Sequence, residues 1–542
     1  MLSLKISDKN IDMPDDFSFT MNLKSPIFGD VGSYSYPFKI PATPKNSISF
    51  GFRHRISSTG SVYADFPGVC LWEGIPLFSG TIKMKVLNQN TFEVCLLEGN
   101  GDFNYHRKND TLQDVDFGQM DFEHIQYKMD YITNCQNHVY PERNFAFPQI
   151  ENKSYFDELP TDPELLYFNY YLNSSIYYFT RESNRSVVVP MLYVRFVLAK
   201  IFEHLGMMFD DSFFAQDTDY NSLVLYNSVD CNCEWAGYFN YDELNIYLNY
   251  HLPRMTLNDF FSGLESFFNI RFFYNKNTGI MRLISVDKIV KAPECIEFSK
   301  QVISVNTDIE EQITGYSLTM AMDTDDDRWA VIKAEEEERL KFLKSSVQTA
   351  SELPPWPASD NGDIRYVNDE HKFRIMYNRI WTQVYDMGYI ELWSNFIYRN
   401  NNQSIETKFS TLIDNGNSDL NSIVGNARSS WKEVTGKLFF AHYQDWGGYN
   451  KRMVGHNYTD TKSLFYSGEN GLFNSHYKAY CDFCMSTKTV KIVKSMTYME
   501  LKDFDFSKKI IIYGIKYLVK TIQVTFKKDR ILPALLECYT CQ

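Results

Sequence analysis

The first hundred residues alternate apolar and polar positions with a period of two, the spacing of a strand that buries one face. Leu2-Ser3-Leu4-Lys5-Ile6 alternates in this way, and so does Asp15-Asp16-Phe17-Ser18-Phe19-Thr20-Met21. The stretch from Val69 to Gly80, which contains Trp72, predicts a hairpin turning at Glu73-Gly74. Thr81 to Leu87 and Thr91 to Leu97 predict two further strands, joined by Asn88-Gln89-Asn90. Phe38 to Pro44 holds Pro41 and Pro44, which cannot donate to a ladder, so it predicts an edge strand or an extended connector. Residues 1–104 therefore read as an antiparallel β domain.

Residues 105–190 are rich in Asp, Asn and Tyr and keep no period, so an irregular insertion with short elements is expected there. At Val194 the period becomes helical. Val194, Val197, Leu198, Ile201, Phe202 and Leu205 fall on one face, and Gly206 is a stop, which predicts a helix near 193–206. A second helix is predicted over 257–268, with Thr256 as N-cap and Asp259 three residues on. A hairpin follows at 271–286, turning on Asn277-Thr278-Gly279. These elements make 191–296 an α+β module.

Strand patterns resume near Ile296, in Gly315 to Met320, and from Thr489 to Cys541. The reading assigns 297–321 and 486–542 to a second β domain, interrupted by a large acidic and aromatic insertion over 322–485. That insertion opens with Asp325-Asp326-Asp327, Glu335 to Glu338 and Pro354-Pro355-Trp356-Pro357, an exposed acidic excursion. The expected fold class is α+β and predominantly antiparallel β: two β domains, a helix-plus-hairpin module and long insertions. No short repeat is visible, which argues against a solenoid or a propeller.

A chain of 542 residues has room for about three or four such domains. Lys and Arg number 54 against 68 Asp and Glu, a formal net charge of −14. That balance argues against a protein that coats phosphates, which needs clustered positive charge. No apolar run approaches the ~20 residues of a membrane helix. The first residues lack the apolar core of a secretion signal, so synthesis and solubility in the cytosol are expected. Aromatic residues reach 16%, with 42 Phe and 37 Tyr, which favours sheets and large buried interfaces.

Candidate chemistry is sparse. Cys481/Cys484 and Cys538/Cys541 are two Cys-x-x-Cys pairs, and four thiolates so spaced can hold zinc. Their contexts read as a helix end and a strand, where residues three apart face opposite ways, so buried free thiols are the expectation. Cys231 and Cys233 have no partner spacing. Asp323, Asp325 and Asp327 open like a calcium loop, but Arg328 and Ala334 stand where Gly and Glu are required. The ten histidines are scattered, and no zinc-peptidase, nucleophile-elbow or phosphate-loop motif occurs. The runs Tyr167-Phe168-Asn169-Tyr170-Tyr171 and Ile176-Tyr177-Tyr178-Phe179 suit a sugar-binding face or, more commonly, core or subunit interface. No catalytic, cofactor-binding or metal-ligating residue is nominated, and no cofactor is expected.

Three stretches resemble the tail-hub family of phages, the late-control or baseplate-hub type found in phages of Bacteroidota and in the crAss-like group. The first is Ile6 to Pro44, with Gly32-Ser33-Tyr34-Ser35-Tyr36-Pro37-Phe38, leading into Leu71-Trp72-Glu73-Gly74-Ile75. The second is the helix and hairpin of Leu257 to Val286. The third is the meander of Thr489 to Cys541, with Phe504-Asp505-Phe506 and Ile512-Tyr513-Gly514-Ile515. Together they cover about half the chain. The resemblance implies a structural virion protein with hub-type β domains, without enzymatic activity. It implies a homo-oligomeric ring, a trimer as in baseplate hubs or a hexamer as in podovirus muzzles. Its partners would be other tail proteins, tube or ring proteins and fibres or spikes, with DNA passing through without specific binding and no stable membrane insertion. Assembly would take place in the host cytoplasm, and the mature location would be the virion tail. The alternative is a tail spike or receptor-binding protein acting on host surface carbohydrate. A third reading, a cell-wall hydrolase fused to a hub, finds no supporting constellation.

Overall fold

In the computed structural model the residues described are those outside 122–137, 152–166, 177–187, 230–244, 322–363, 415–422 and 425–435 and outside shorter stretches at 30, 54, 56–64, 88, 108–109, 170, 173–174, 276–277, 309–312, 368–371, 378–379, 387–388, 392–394, 400–402, 412, 447–449 and 542. The acidic Asp323 to Asp327 segment, Glu335 to Glu338, Cys231 and Cys233 lie outside the described residues.

The architecture is α+β and predominantly antiparallel β, as the alternation predicts. Its largest element is a 14-stranded sheet drawn from both ends of the chain, with two short strands from its middle. In chain order the strands are β1 (Leu2–Ile6), β2 (Lys9–Asn10), β3 (Ser18–Lys24), β4 (Ser33–Ser35), β5 (Phe38–Pro41), β6 (Asp65–Trp72), β7 (Ile75–Leu87) and β8 (Thr91–Glu98). Then come β9 (Cys295–Glu297), β10 (Val302–Thr307), β11 (Thr489–Lys494), β12 (Lys509–Ile512), β13 (Ile515–Lys527) and β14 (Ala534–Cys541). The spatial order is β2-β1-β6-β7-β8-β4-β3-β13-β14-β11-β10, with β5 against β8 and the β9-β12 pair on β13.

The hairpin expected at Glu73-Gly74 is there. Glu73 and Gly74 both take positive φ, 52° and 82°, the turn whose twist matches flanking strands. Tyr513 and Gly514, at 51° and 82°, repeat the device between β12 and β13. Among the described strands the proline-bearing β5 pairs only with β8, as an edge strand must.

The join between the two ends of the chain is β3 against β13, antiparallel from Ser18↔Lys527 to Lys24↔Thr521. Each strand turns its alternate apolar residues inward: Phe19, Met21 and Leu23 on one, Ile522, Val524 and Phe526 on the other. The sheet then curls back on itself. β6 and β13 are five strand positions apart, about 24 Å if the sheet were flat. Yet the Trp72 and Phe526 rings are 6.4 Å apart, and Phe78 lies 5.5 Å from Phe526. The Leu2 amide donates to the Lys528 carbonyl at 2.9 Å and closes the seam.

A second core is built by the middle of the chain. The two expected helices are α1 (Val194–His204) and α2 (Leu257–Phe268). The Thr256 hydroxyl caps α2 by accepting the Asp259 amide at 3.0 Å. The hairpin pairs Ile270–Asn275 with Ile280–Ser285. Residues from 105–190 and from 322–485 pack into the same cluster, among them Phe147, Phe168, Phe409, Phe439 and Tyr466. Gly315–Thr319 pairs with Asn395–Arg399 and Gln403–Glu406 in a separate small sheet and not with the C-terminal meander.

Phe409 is clasped between two glycines. A Cβ at Gly263 would sit 2.6 Å from its ring, and one at Gly436 closer still. Gly436→Ala is therefore expected to force the ring off its rotamer at about 1–3 kcal/mol. The loss should appear as a lower denaturant midpoint with unchanged slope.

Candidate functional site

A cleft of about 710 Å³ opens where the curled sheet meets the second core. That lies within the roughly 300–1,000 Å³ of small-molecule sites. Its walls come from widely separated parts of the chain. Ile27 and Phe28 follow β3, Arg271 begins the hairpin, Tyr316 and Ile405 belong to the small sheet, and Tyr480, Phe483 and Cys484 lie on α3 (Lys478–Ser486).

Each wall is pinned by an identifiable bond. The Arg271 guanidinium donates to the carbonyl of Pro26 at 3.1 Å from Nε. Its Nη1 donates to the carbonyls of Glu265 and Ile270 at 3.1 and 2.7 Å. It thus ties the end of α2 to the loop after β3. Asn100, just past β8, acts as a mock strand. Its Oδ1 accepts the Tyr274 amide at 3.1 Å, and its Nδ2 donates to the Phe272 carbonyl. At the first turn of α3 the buried Asp287 carboxylate accepts the Ala479 amide at 2.9 Å, satisfying a helix-end donor. On the small sheet, the Tyr398 hydroxyl donates to Asp482 at 2.7 Å, and Lys478 pairs with the same carboxylate at 2.8 Å.

The chemistry inside the cleft is quiet. Burial pushes the Cys484 thiol up, with the neighbouring Tyr316 and Tyr480 hydroxyls opposing the shift. Burial also pushes both tyrosines up, so all three groups keep their protons at neutral pH. A thiol held protonated is neither a nucleophile nor a metal ligand. The three side chains lie together where α3 meets the small sheet, the Tyr316 and Tyr480 rings 6.5 Å apart.

The cysteine pairs sit as their local patterns suggest. Cys481 and Cys484 lie on α3, Cys538 and Cys541 on β14, and all four are free. Cys481 and Cys538 are fully buried, and burial raises both thiols well above the usual range; Cys541 is pushed up to about 11. The four thiols do not converge. Among the described residues no three His, Cys, Asp or Glu side chains gather in a way that could hold a metal ion. Of the aromatic runs, Tyr167, Phe168 and Asn169 are buried, so they serve the core and not a sugar-binding face. The side chains of Tyr170, Tyr171 and Ile176 to Phe179 lie outside the described residues.

Arg271, Asn100 and the grouping of Tyr316, Tyr480 and Cys484 escaped the sequence reading. Their partners are far away in the chain, and no spacing announces them. No described helix is long and apolar enough to cross a membrane.

No protein-family model matches the chain, and no curated protein matches it. Among solved structures, it is similar to the crystal structure of the 43 kDa tail protein of prophage MuSo2 from Shewanella oneidensis. Identity is 8%, the TM-score is 0.33, and the match covers 99% of this chain and 95% of that one. It is also similar to the tail protein from Neisseria meningitidis MC58, at 7% identity and a TM-score of 0.29, covering 99% of this chain and 95% of that one.

Proposed function

We propose that the protein is a structural component of a bacteriophage tail, a hub or muzzle subunit of the late-control-like type. In this reading it assembles with copies of itself, as a trimer or a hexamer, into a ring that closes the tail and forms the channel for genome ejection. The observation that carries the reading is the frame. The stretches that resemble the tail-hub family are the ones that lock together: β3 zips to β13, and Arg271 and Asn100 fasten the helix-plus-hairpin module to the loop after β3 and to the end of β8. The described residues of the long connections between these stretches contribute to the second core, and in a ring subunit such connections meet differently shaped neighbours. The cleft between frame and second core is braced by protonated side chains, in keeping with a joint under load and not with a reaction centre.

The charge fits the same role. A conduit that passes DNA must not hold it, and a net charge of −14 offers phosphates little attraction. The partners are the tube or ring proteins above and the fibres or spikes around it, and the protein carries no enzymatic activity of its own.

Incubation of the purified protein with host surface polysaccharide, followed by assay of released reducing ends, separates this reading from the spike. A structural ring releases none. Measurable cleavage by an SDS-resistant trimer would replace the hub with a carbohydrate-directed tail spike.

A further inference from the structure

A second hollow, of about 390 Å³, lies on the outer face of the 14-stranded sheet and shares no wall residue with the cleft between frame and second core. Alternation explains it only in part. Ile82, Val94 and Leu96 turn into the core, so Lys83, Lys85, Cys95 and Leu97 face outward. Lysine is ordinary there. Cys95 and Leu97 are not, because a sheet with one wet face carries polar side chains on it. The two apolar residues form a floor. Tyr34 and Pro37 stand along one side of it. Asn104 and Tyr105, from the short helix Asn100–His106, stand along the other.

The groove is cationic in a chain whose net charge is −14. The Lys83 ammonium rests on the Tyr105 ring, 4.1 Å from its centroid. That ring is itself held. The Tyr105 hydroxyl donates at 2.8 Å to Asp65, the residue opposite Lys83 in the ladder of β6 and β7. Lys85 is the extra residue at a bulge between Met84 and Val86, a device that re-aims a side chain. Among the described residues neither lysine has a carboxylate within ion-pair distance. Both ammonium groups oppose the rise that burial imposes on the Cys95 thiol, so both charges stand near the same floor. On the facing wall Lys24 lies over the Tyr34 ring, 5.3 Å from its centroid.

We propose that this groove binds an acidic, extended segment of another protein, with an apolar side chain of the segment on Cys95 and Leu97 and its carboxylates on Lys83 and Lys85. The argument for this occupant is complementarity. Such a segment offers the two things the groove lacks, an apolar cover for its floor and counter-charges for two ammonium groups. A nucleic-acid strand fits less well, because two cations beside the Asp65 carboxylate are too few to follow a phosphate backbone. The inference does not rest on the tail reading. Rings that ignore an acidic peptide would remove this site and leave that reading standing. Peptide binding by a chain that never forms rings would do the reverse.

The test is fluorescence anisotropy of the full chain with a labelled peptide that carries one leucine between two pairs of glutamates. Wild type is expected to bind it, and more weakly as salt rises. The same peptide with glutamine in place of glutamate should bind at least about tenfold more weakly. The Lys83→Gln/Lys85→Gln double variant should lose about as much. The Lys9→Gln/Lys300→Gln double variant removes two exposed lysines outside the groove and should bind as wild type does. Leu97→Asn, which makes the floor polar, should weaken binding without changing its salt dependence. Thermal melting checks the fold of each variant, and the two lysine pairs decide the matter if Leu97→Asn fails to fold. A wild-type chain that does not bind the peptide overturns the proposal. Equal losses in the two lysine pairs would show diffuse attraction and overturn it as well. Succinate that displaces the peptide at equal concentration would reduce the groove to a trap for small carboxylates. A labelled oligothymidylate that binds more tightly than the peptide would assign the groove to single-stranded nucleic acid. Either result would overturn the proposal.

Discussion

Phe526→Ala is expected to cost about 3–5 kcal/mol, the range for emptying a large aromatic from a closed core. Phe526 is fully buried on β13. Its ring stacks on Phe19 at 5.2 Å, meets Phe78 edge-on at 5.5 Å and approaches Trp72 at 6.4 Å. These contacts belong to strands β3, β7 and β6, so one side chain fills the place where the curled sheet closes on itself. The cavity would open at the seam between the two ends of the chain, where little can collapse into it. Equilibrium denaturation by circular dichroism measures the loss. A second readout is local: amides of β1 and β6 should exchange faster, because they depend on the seam. A melt like that of wild type would mean that the curl does not hold the molecule together.

The second large effect is acid lability. Burial pushes His251 down to about 4 and His476 down to about 3, so both are neutral in the folded protein at any pH above those values. His476 keeps its Nε2 3.0 Å from the Tyr220 hydroxyl, inside a cluster that includes Phe213 and Phe268. In the unfolded chain both titrate near about 6.5. Between those limits the unfolded state binds more protons than the folded one, so stability falls as pH falls through that window. At about 1.4 kcal/mol per pKa unit and residue, several kcal/mol are lost from pH 7 to pH 4. Stability measured at pH 7 and at pH 4.5 should therefore differ markedly for wild type. The difference should shrink in a His251→Gln/His476→Gln double variant, whatever that variant costs at neutral pH. Equal pH slopes in the two proteins would show that other groups drive acid unfolding.

How far the fold is legible in the sequence depends on the range of the interaction. Alternation in Leu2–Ile6 and Ser18–Lys24 fixes strand type and buried face, because a period of two is a property of a few neighbouring residues. The helix Leu257–Phe268 is legible to the residue, since Thr256 and Asp259 mark its start and Asn269 takes the left-handed cap at φ 46°. The turn at Glu73-Gly74 is equally local. Partnership is not local. Nothing in Phe19, Met21 and Leu23 says that they lie beside Ile522, Val524 and Phe526, some five hundred residues on, in one continuous sheet. The same limit hides the cleft. Tyr316, Tyr480 and Cys484 are contributed by a strand and a helix far apart in the chain. The histidines teach a related lesson: His251 and His476 look like the other eight until the core closes around them. The Cys-x-x-Cys pairs show the converse. Their spacing is visible, but a helix and a strand carry them, and neither element bends four sulfurs toward one point.

The central claim is that this frame exists to build a ring. It is tested most directly by light scattering of the purified protein together with negative-stain imaging of the same fractions. The account predicts hollow, channel-bearing rings of three or six copies. Elongated trimeric rods, or particles with no channel at any concentration, would contradict it.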